Sequence, residues 1–119
     1  MKINNKLIKE GTVLWTNPNP TSSFATQTIT LSSNDYDFYE VYCAYSYQTT
    51  QYANSYKSYK NKGMILWMTG YSTNTSVRRK IDWTDSTHLL VSSGMSANST
   101  NDAYLIPLYI IGYKTNINL

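Results

Sequence analysis

Polar and apolar positions alternate along much of this chain with a period of two. In "TQTITL" (Thr26 to Leu31), Gln27, Ile29 and Leu31 alternate with Thr26, Thr28 and Thr30, which predicts a half-buried strand whose threonine face meets solvent. "DFYEVYCAYSY" (Asp37 to Tyr47) repeats the pattern over a longer reach. Tyr39, Val41, Cys43 and Tyr45 share one side, which Val41 and Cys43 mark as the core face, and Phe38, Glu40, Tyr42 and Ala44 share the other. "TSVRRKIDW" (Thr75 to Trp83) sets Val77, Ile81 and Trp83 inward and carries Arg79 with them, while Arg78, Lys80 and Asp82 point out. A charge on an apolar face is rare unless paired. Arg79 is therefore expected to form a salt bridge, to sit at a strand bend, or to face a subunit boundary.

Shorter runs complete the set. "TVLWT" (Thr12 to Thr16) reads as the first strand. "KGMILWMTG" (Lys62 to Gly70) is almost unbroken in apolar character, the pattern of a strand covered on both faces, so a central place or cover by another subunit is expected, with Trp67 and Trp83 in the core. "WTDST" (Trp83 to Thr87) has turn chemistry, with Asp85 and Ser86 able to cap exposed amides, and "STHLLVSS" returns as the hairpin partner. In the closing run "DAYLIPLYIIGYK", Pro107 has no amide hydrogen and predicts an edge or a bulge, and Gly112 a bend. Ile106, Leu108 and Ile110 are expected in the core, and Tyr109 and Tyr113 at the surface or against a partner, where with Arg79 they are the interface candidates.

No window carries a helical apolar stripe, and Gly, Pro, Asn and Ser interrupt the chain at short intervals. About seven or eight short antiparallel strands with turns between them predict an all-β fold, a β-sandwich of the jelly-roll kind. Residues 1–11 read as a lead segment and 12–119 as one sandwich domain. Between the first two strands, Pro18 and Pro20 hold Asn17 and Asn19 extended, so the connection is stiff and unsuited to pairing. It is expected to cross from one sheet to the other with Phe24 as an apolar plug beneath it.

The chain has 119 residues, 12 of them Tyr and 3 Trp, only 14% are charged, and Ser, Thr and Asn fill the polar positions. Such a length fits one domain with a self-sufficient core. The single cysteine, Cys43, excludes an internal disulfide and reads as a small buried hydrophobe. No metal-ligand spacing, cofactor motif, signal peptide or apolar run near the 18 or so residues of a membrane span is present. No cofactor and no membrane insertion are expected. The net charge of +3 leaves Lys57, Lys60, Lys62, Arg78, Arg79 and Lys80 in a span without acids. A basic face of this kind suits nucleic acid or an acidic glycan, but an excess this mild is more often just a solvated surface, and nucleic acid is not expected as a partner. The lone His88 lies on the outward side of its strand, and Asp82 and Asp85 flank a turn rather than a substrate, so no enzyme is expected.

"YSYQTTQYANSYKSYKNK" (Tyr45 to Lys62) sets tyrosines among small polar residues and lysines. Phenols supply contact area and a hydrogen bond at low entropic cost, and can stack on sugar rings. Tyr47, Tyr52, Tyr56, Tyr59, Lys57 and Lys60 are the binding candidates, the alternative being a solvated hairpin whose tyrosines cover the sheet.

The runs "TVLWTNPNPTSSFATQTITLSSNDYDFYEV", "RRKIDWTDSTHL" and "IPLYIIGYK" resemble a small β-rich domain of phage and prophage structural proteins in Gram-positive gut bacteria, found at the C-terminal end of tail-fibre or minor tail proteins or as a free-standing virion protein. The resemblance covers nearly the whole chain and is weakest over Gln48 to Lys60. It implies a virion component made in the bacterial cytoplasm, commonly a homotrimer, that displays a surface or binds a host receptor, often a glycan. The lead is too short for a fibre shaft, so a chain of this extent on its own is expected to dock on another virion protein or to act as a decoration. The resemblance carries no catalytic residue. A stand-alone carbohydrate-binding module, or a capsid or tail assembly protein without a receptor, remains the alternative.

Overall fold

The computed structural model describes residues 8–69 and 76–115. They form strands β1 (Ile8–Thr16), β2 (Gln27–Thr30), β3 (Phe38–Ser46), β4 (Thr49–Tyr59), β5 (Met64–Thr69), β6 (Ser76–Asp85), β7 (His88–Val91), β8 (Met95–Ser96), β9 (Ser99–Thr100) and β10 (Tyr104–Thr115). Every pairing is antiparallel. One sheet has the order β1-β10-β3-β4, and the second runs β2-β7-β6-β8-β9, with β5 also paired to β6. Packed together, they make a β-sandwich. β7 pairs with Ile81 to Asp85 of β6, and β8 with Val77 and Arg78.

The alternation explains the interior. Tyr39, Val41 and Cys43 of β3 and Ile110 of β10 meet Leu66, Val77, Ile81, Leu89 and Val91 of the second sheet, all of them buried. Burial pushes the Cys43 thiol far up from its ordinary pKa, which fits an inert core residue. β1 and β2 lie in different sheets, so the proline segment crosses between sheets, and buried Phe24 packs edge-on against Trp15 at 6.0 Å. Asn17 fastens this crossing. Its Nδ2 donates to the Pro107 carbonyl at 2.8 Å, its Oδ1 accepts from the Asn19 amide at 2.8 Å, and its own amide donates to the Leu108 carbonyl at 2.8 Å.

Several expectations are corrected or sharpened by the pairing. β5 is an edge strand, not a central one: among the described residues it pairs only with β6, which leaves Ile65 63% and Trp67 52% exposed. Pro107 is interior to its sheet, between Cys43 of β3 and the Asn17 side chain, and its missing donor is absorbed by a register shift between Pro107 and Tyr109. Gly112 marks a close approach instead of a bend, since a Cβ there would stand 2.7 Å from Leu14 Cδ1 and 3.1 Å from Tyr36 Cβ. Leu108 is only half-buried, whereas Leu105 is fully buried. Strand β1 begins at Ile8, inside the stretch read as a lead. Gly70 and Thr75, at the ends of two predicted strands, fall outside the described residues.

Candidate functional site

The two sheets come together along one side of the sandwich through their unpaired edges. Among the described residues β4 pairs only with β3, and β5 only with β6. In the β3–β4 register Tyr56 stands opposite Val41, a core residue, so its ring projects between the sheets and its hydroxyl donates to the Trp67 carbonyl of β5. Burial raises the pKa of this phenol, keeping it a neutral donor. Beside this tie runs a groove of about 540 Å³, whose walls include Tyr45, Tyr52, Asn54, Tyr56, Trp67 and Thr69. Tyr52 is 42% exposed.

Four aromatic rings with an amide and hydroxyls along one groove have the chemistry of a sugar site. Ring faces pack against the C–H faces of a pyranose, and the polar groups bond its hydroxyls. The Trp67 indole is the largest of these surfaces, and its exposure leaves it accessible.

Of the residues expected to bind, the groove gathers Tyr52 and Tyr56. Tyr47 does not line the groove, although like Tyr45 and Tyr56 it packs against the core cluster. Lys57 pairs with Glu40 and Tyr59 with Phe38, which puts both on the outer face of the first sheet, where Tyr59 is 72% exposed. Lys60 lies over the Tyr36 ring, 5.2 Å from its centroid, and donates to the Asn34 carbonyl. Tyr45 and Trp67 are groove aromatics that the sequence assigns to the core side rather than to binding. Hydropathy does not distinguish the two faces of "MILWMT". Only the strand order shows that the face carrying Ile65 and Trp67 is uncovered.

Tyr109 and Tyr113 stand on the outer face of the first sheet, half-buried by stacking. Tyr109 stacks on Tyr42 at 4.5 Å and Tyr113 on Phe38 at 5.0 Å. Between them lies Glu40, 6% exposed, whose carboxylate accepts from Tyr113 at 2.8 Å, Tyr42 at 3.1 Å and Ser55 at 2.6 Å. Burial alone would raise this carboxyl's pKa, but the three hydroxyl donors outweigh it and hold the group below its ordinary value.

Arg79 is 1% exposed, and its guanidinium meets carbonyls of its own chain: Leu105 at 2.9 Å, Phe24 at 2.9 Å, Ser92 at 2.7 Å and Tyr104 at 2.8 Å. Carbonyls rather than an acid therefore satisfy its donors, a fourth solution beside the three expected. His88 Nδ1 lies 2.8 Å from Asp85 Oδ1, which also accepts from the Thr87 amide at 2.9 Å, so both serve the turn between β6 and β7. Among the described residues no group of three or more His, Cys, Asp or Glu side chains could hold a metal ion. The chain matches no protein-family model, no curated protein and no solved structure.

Proposed function

We propose that this chain is a non-catalytic attachment module that binds a glycan of the host surface in the β4–β5 groove. The observation that carries the reading is the cluster of Tyr45, Tyr52, Tyr56 and Trp67 along a single open groove, with Trp67 half-exposed on an edge strand. Tyr45 and Tyr56 pack against the core cluster, so two of the four rings rest on a rigid support. Sugar binding by stacking needs such preset ring faces and no titrating group.

The particle setting rests on the sequence resemblance. In that setting the module is a phage virion component, a fibre tip or surface decoration, assembled as a homotrimer and docked on another virion protein. Light scattering across a concentration series reads the mass, and a trimer is expected.

The binding reading is tested on an immobilised glycan array and on whole bacterial cells. The chain should be retained by a restricted set of glycans, and Trp67→Ala and Tyr52→Ala should each lower retention by about fivefold or more, taking roughly 1 to 3 kcal/mol per stacked ring as for other ring faces. Unchanged retention by folded variants would contradict it.

A further inference from the structure

We infer that the glycan taken by this groove is acidic, its carboxylate or phosphate groups lying against Arg78 and Lys80 on the outer face of the β5–β6 ribbon. The inference rests on the attachment reading above and specifies its ligand class. Trp67 pairs directly with Arg78 and Ile65 with Lys80, and directly opposed residues of an antiparallel pair project to the same face. Met95 of β8 stands across from Arg78 on the other flank. A row Trp67, Arg78, Met95 thus leads from the groove wall onto the outer face of the second sheet. Next to it Ile65 and Lys80 form a parallel row.

These rows border a second depression of about 470 Å³, whose lining includes Ile65, Arg78, Arg79, Lys80, Ser92 and Ser93. Its lining combines three cations, Arg78, Arg79 and Lys80, with hydroxyls and the apolar Ile65 and Met95, and Thr26 and Ser93 already share a hydrogen bond of 2.5 Å. Opposed Cβ atoms of such a pair stand about 5 Å apart, close to the length of one sugar ring. A ring stacked on Trp67 therefore brings an acid group on itself or on its neighbour to Arg78.

The charges around this surface are unbalanced in the required sense. Among the described residues no carboxylate forms an ion pair with Arg78. Lys80 meets Asp82 at 3.5 Å, but the two side chains are 61% and 46% exposed, a contact that an incoming acid can replace at little cost. Arg79, on the opposite face of the same strand but also in the lining of this depression, spends its donors on carbonyls, and among the described residues it forms no ion pair. Neutral sugars would leave Arg78 and Lys80 to water, while acidic sugars would replace that water with charge-assisted hydrogen bonds.

The test compares oligogalacturonate with its neutral methyl ester, and a phosphorylated with an unphosphorylated mannose oligosaccharide, by titration calorimetry. For wild type, an acidic member should bind roughly tenfold more tightly than its neutral partner at about 50 mM salt, and the gap should narrow at about 300 mM. The double variant Arg78→Gln/Lys80→Gln changes one half-buried and one exposed position, and its melting curve reports its folding. It should abolish the gap while keeping neutral binding, whereas Trp67→Ala should weaken both members. Equal binding of acidic and neutral members, or a gap unchanged in the double variant, overturns the acidic assignment and leaves the attachment reading standing. No binding of any glycan by the folded wild-type chain, here or on the array, overturns both.

Discussion

The Arg79 Nε donates to the Leu105 carbonyl at 2.9 Å, at the point where Leu105 takes a φ of 50°, the left-handed backbone region that a leucine rarely adopts. Leu105 is fully buried at the start of β10. Its turned carbonyl, with those of Phe24, Ser92 and Tyr104, converges on one guanidinium that joins the proline crossover, the end of β7 and the closing strand. Burial lowers the pKa of Arg79 to about 10, still well above neutrality, so the charge is present at pH 7.

Replacing Arg79 differs from breaking an ion pair, since no buried carboxylate is left behind but several buried carbonyls are. Each unsatisfied buried acceptor costs about 1 to 3 kcal/mol. Arg79→Met is therefore expected to lose at least about 3 kcal/mol in urea unfolding. Arg79→Lys, with a point charge in place of a planar fork, should lose at least about 2 kcal/mol. A loss under about 1 kcal/mol for Arg79→Met would contradict this role.

Glu40 gives the fold an acid dependence. Its folded-state pKa is depressed by the Ser55, Tyr113 and Tyr42 donors acting against burial, so its contribution is present above the unfolded carboxylate value and is lost as pH falls through the folded one. Glu40→Gln should cost about 1 to 3 kcal/mol at pH 7, a gap that closes below about pH 4. Melting temperatures of both proteins from pH 7 to pH 3 measure it. A gap constant over that range would contradict the account.

The Tyr36 hydroxyl is buried and, among the described residues, has no hydrogen-bond partner, and burial raises its pKa strongly. The ring is well used, stacked near Trp83 at 6.2 Å and covered by Lys60. Tyr36→Phe keeps the ring and removes the orphan group. It should be neutral or stabilising by up to about 1 kcal/mol, and a loss above about 1 kcal/mol would reveal a partner for the hydroxyl.

The two tryptophans expected in the core separate in stability. Trp83 contacts Tyr39 edge-on at 5.3 Å and donates its Nε1–H to the Lys62 carbonyl at 2.8 Å. Trp83→Ala should cost about 3 kcal/mol or more. Half-exposed Trp67 should cost under about 1 kcal/mol, while its buried neighbour Leu66 should cost about 2 to 5 kcal/mol on truncation to Ala. Denaturant unfolding of the three variants ranks them, and a Trp67→Ala loss as large as that of Leu66→Ala would place Trp67 in the core after all.

The two-sheet architecture was legible in the sequence where one face of a strand is polar. "TQTITL", "DFYEVYCAYSY" and "SVRRKID" each declare their buried side through a period of two, and Arg79 declares itself as an exception. Pro107 and Gly112 announced irregularity but not its kind, because a bulge and a close approach depend on what lies across the sheet. The groove was half legible. Tyr52 and Tyr56 sit in a run of polar residues where an aromatic is conspicuous, whereas Trp67 sits in an apolar run that gives no sign of which face is covered. Its exposure follows from β5 having one neighbour, a property of strand order that no local pattern encodes.

The groove itself can be observed directly by backbone amide chemical-shift mapping of the isotope-labelled chain during titration with a glycan retained on the array. Shifts confined to Tyr52 to Tyr56 and Leu66 to Thr69, extending to Arg78 and Lys80 when the glycan is acidic, are the predicted result. Shifts centred instead on Tyr42, Tyr109 and Tyr113, or the absence of any shift at saturating glycan, would contradict the assignment of the β4–β5 groove as the binding site.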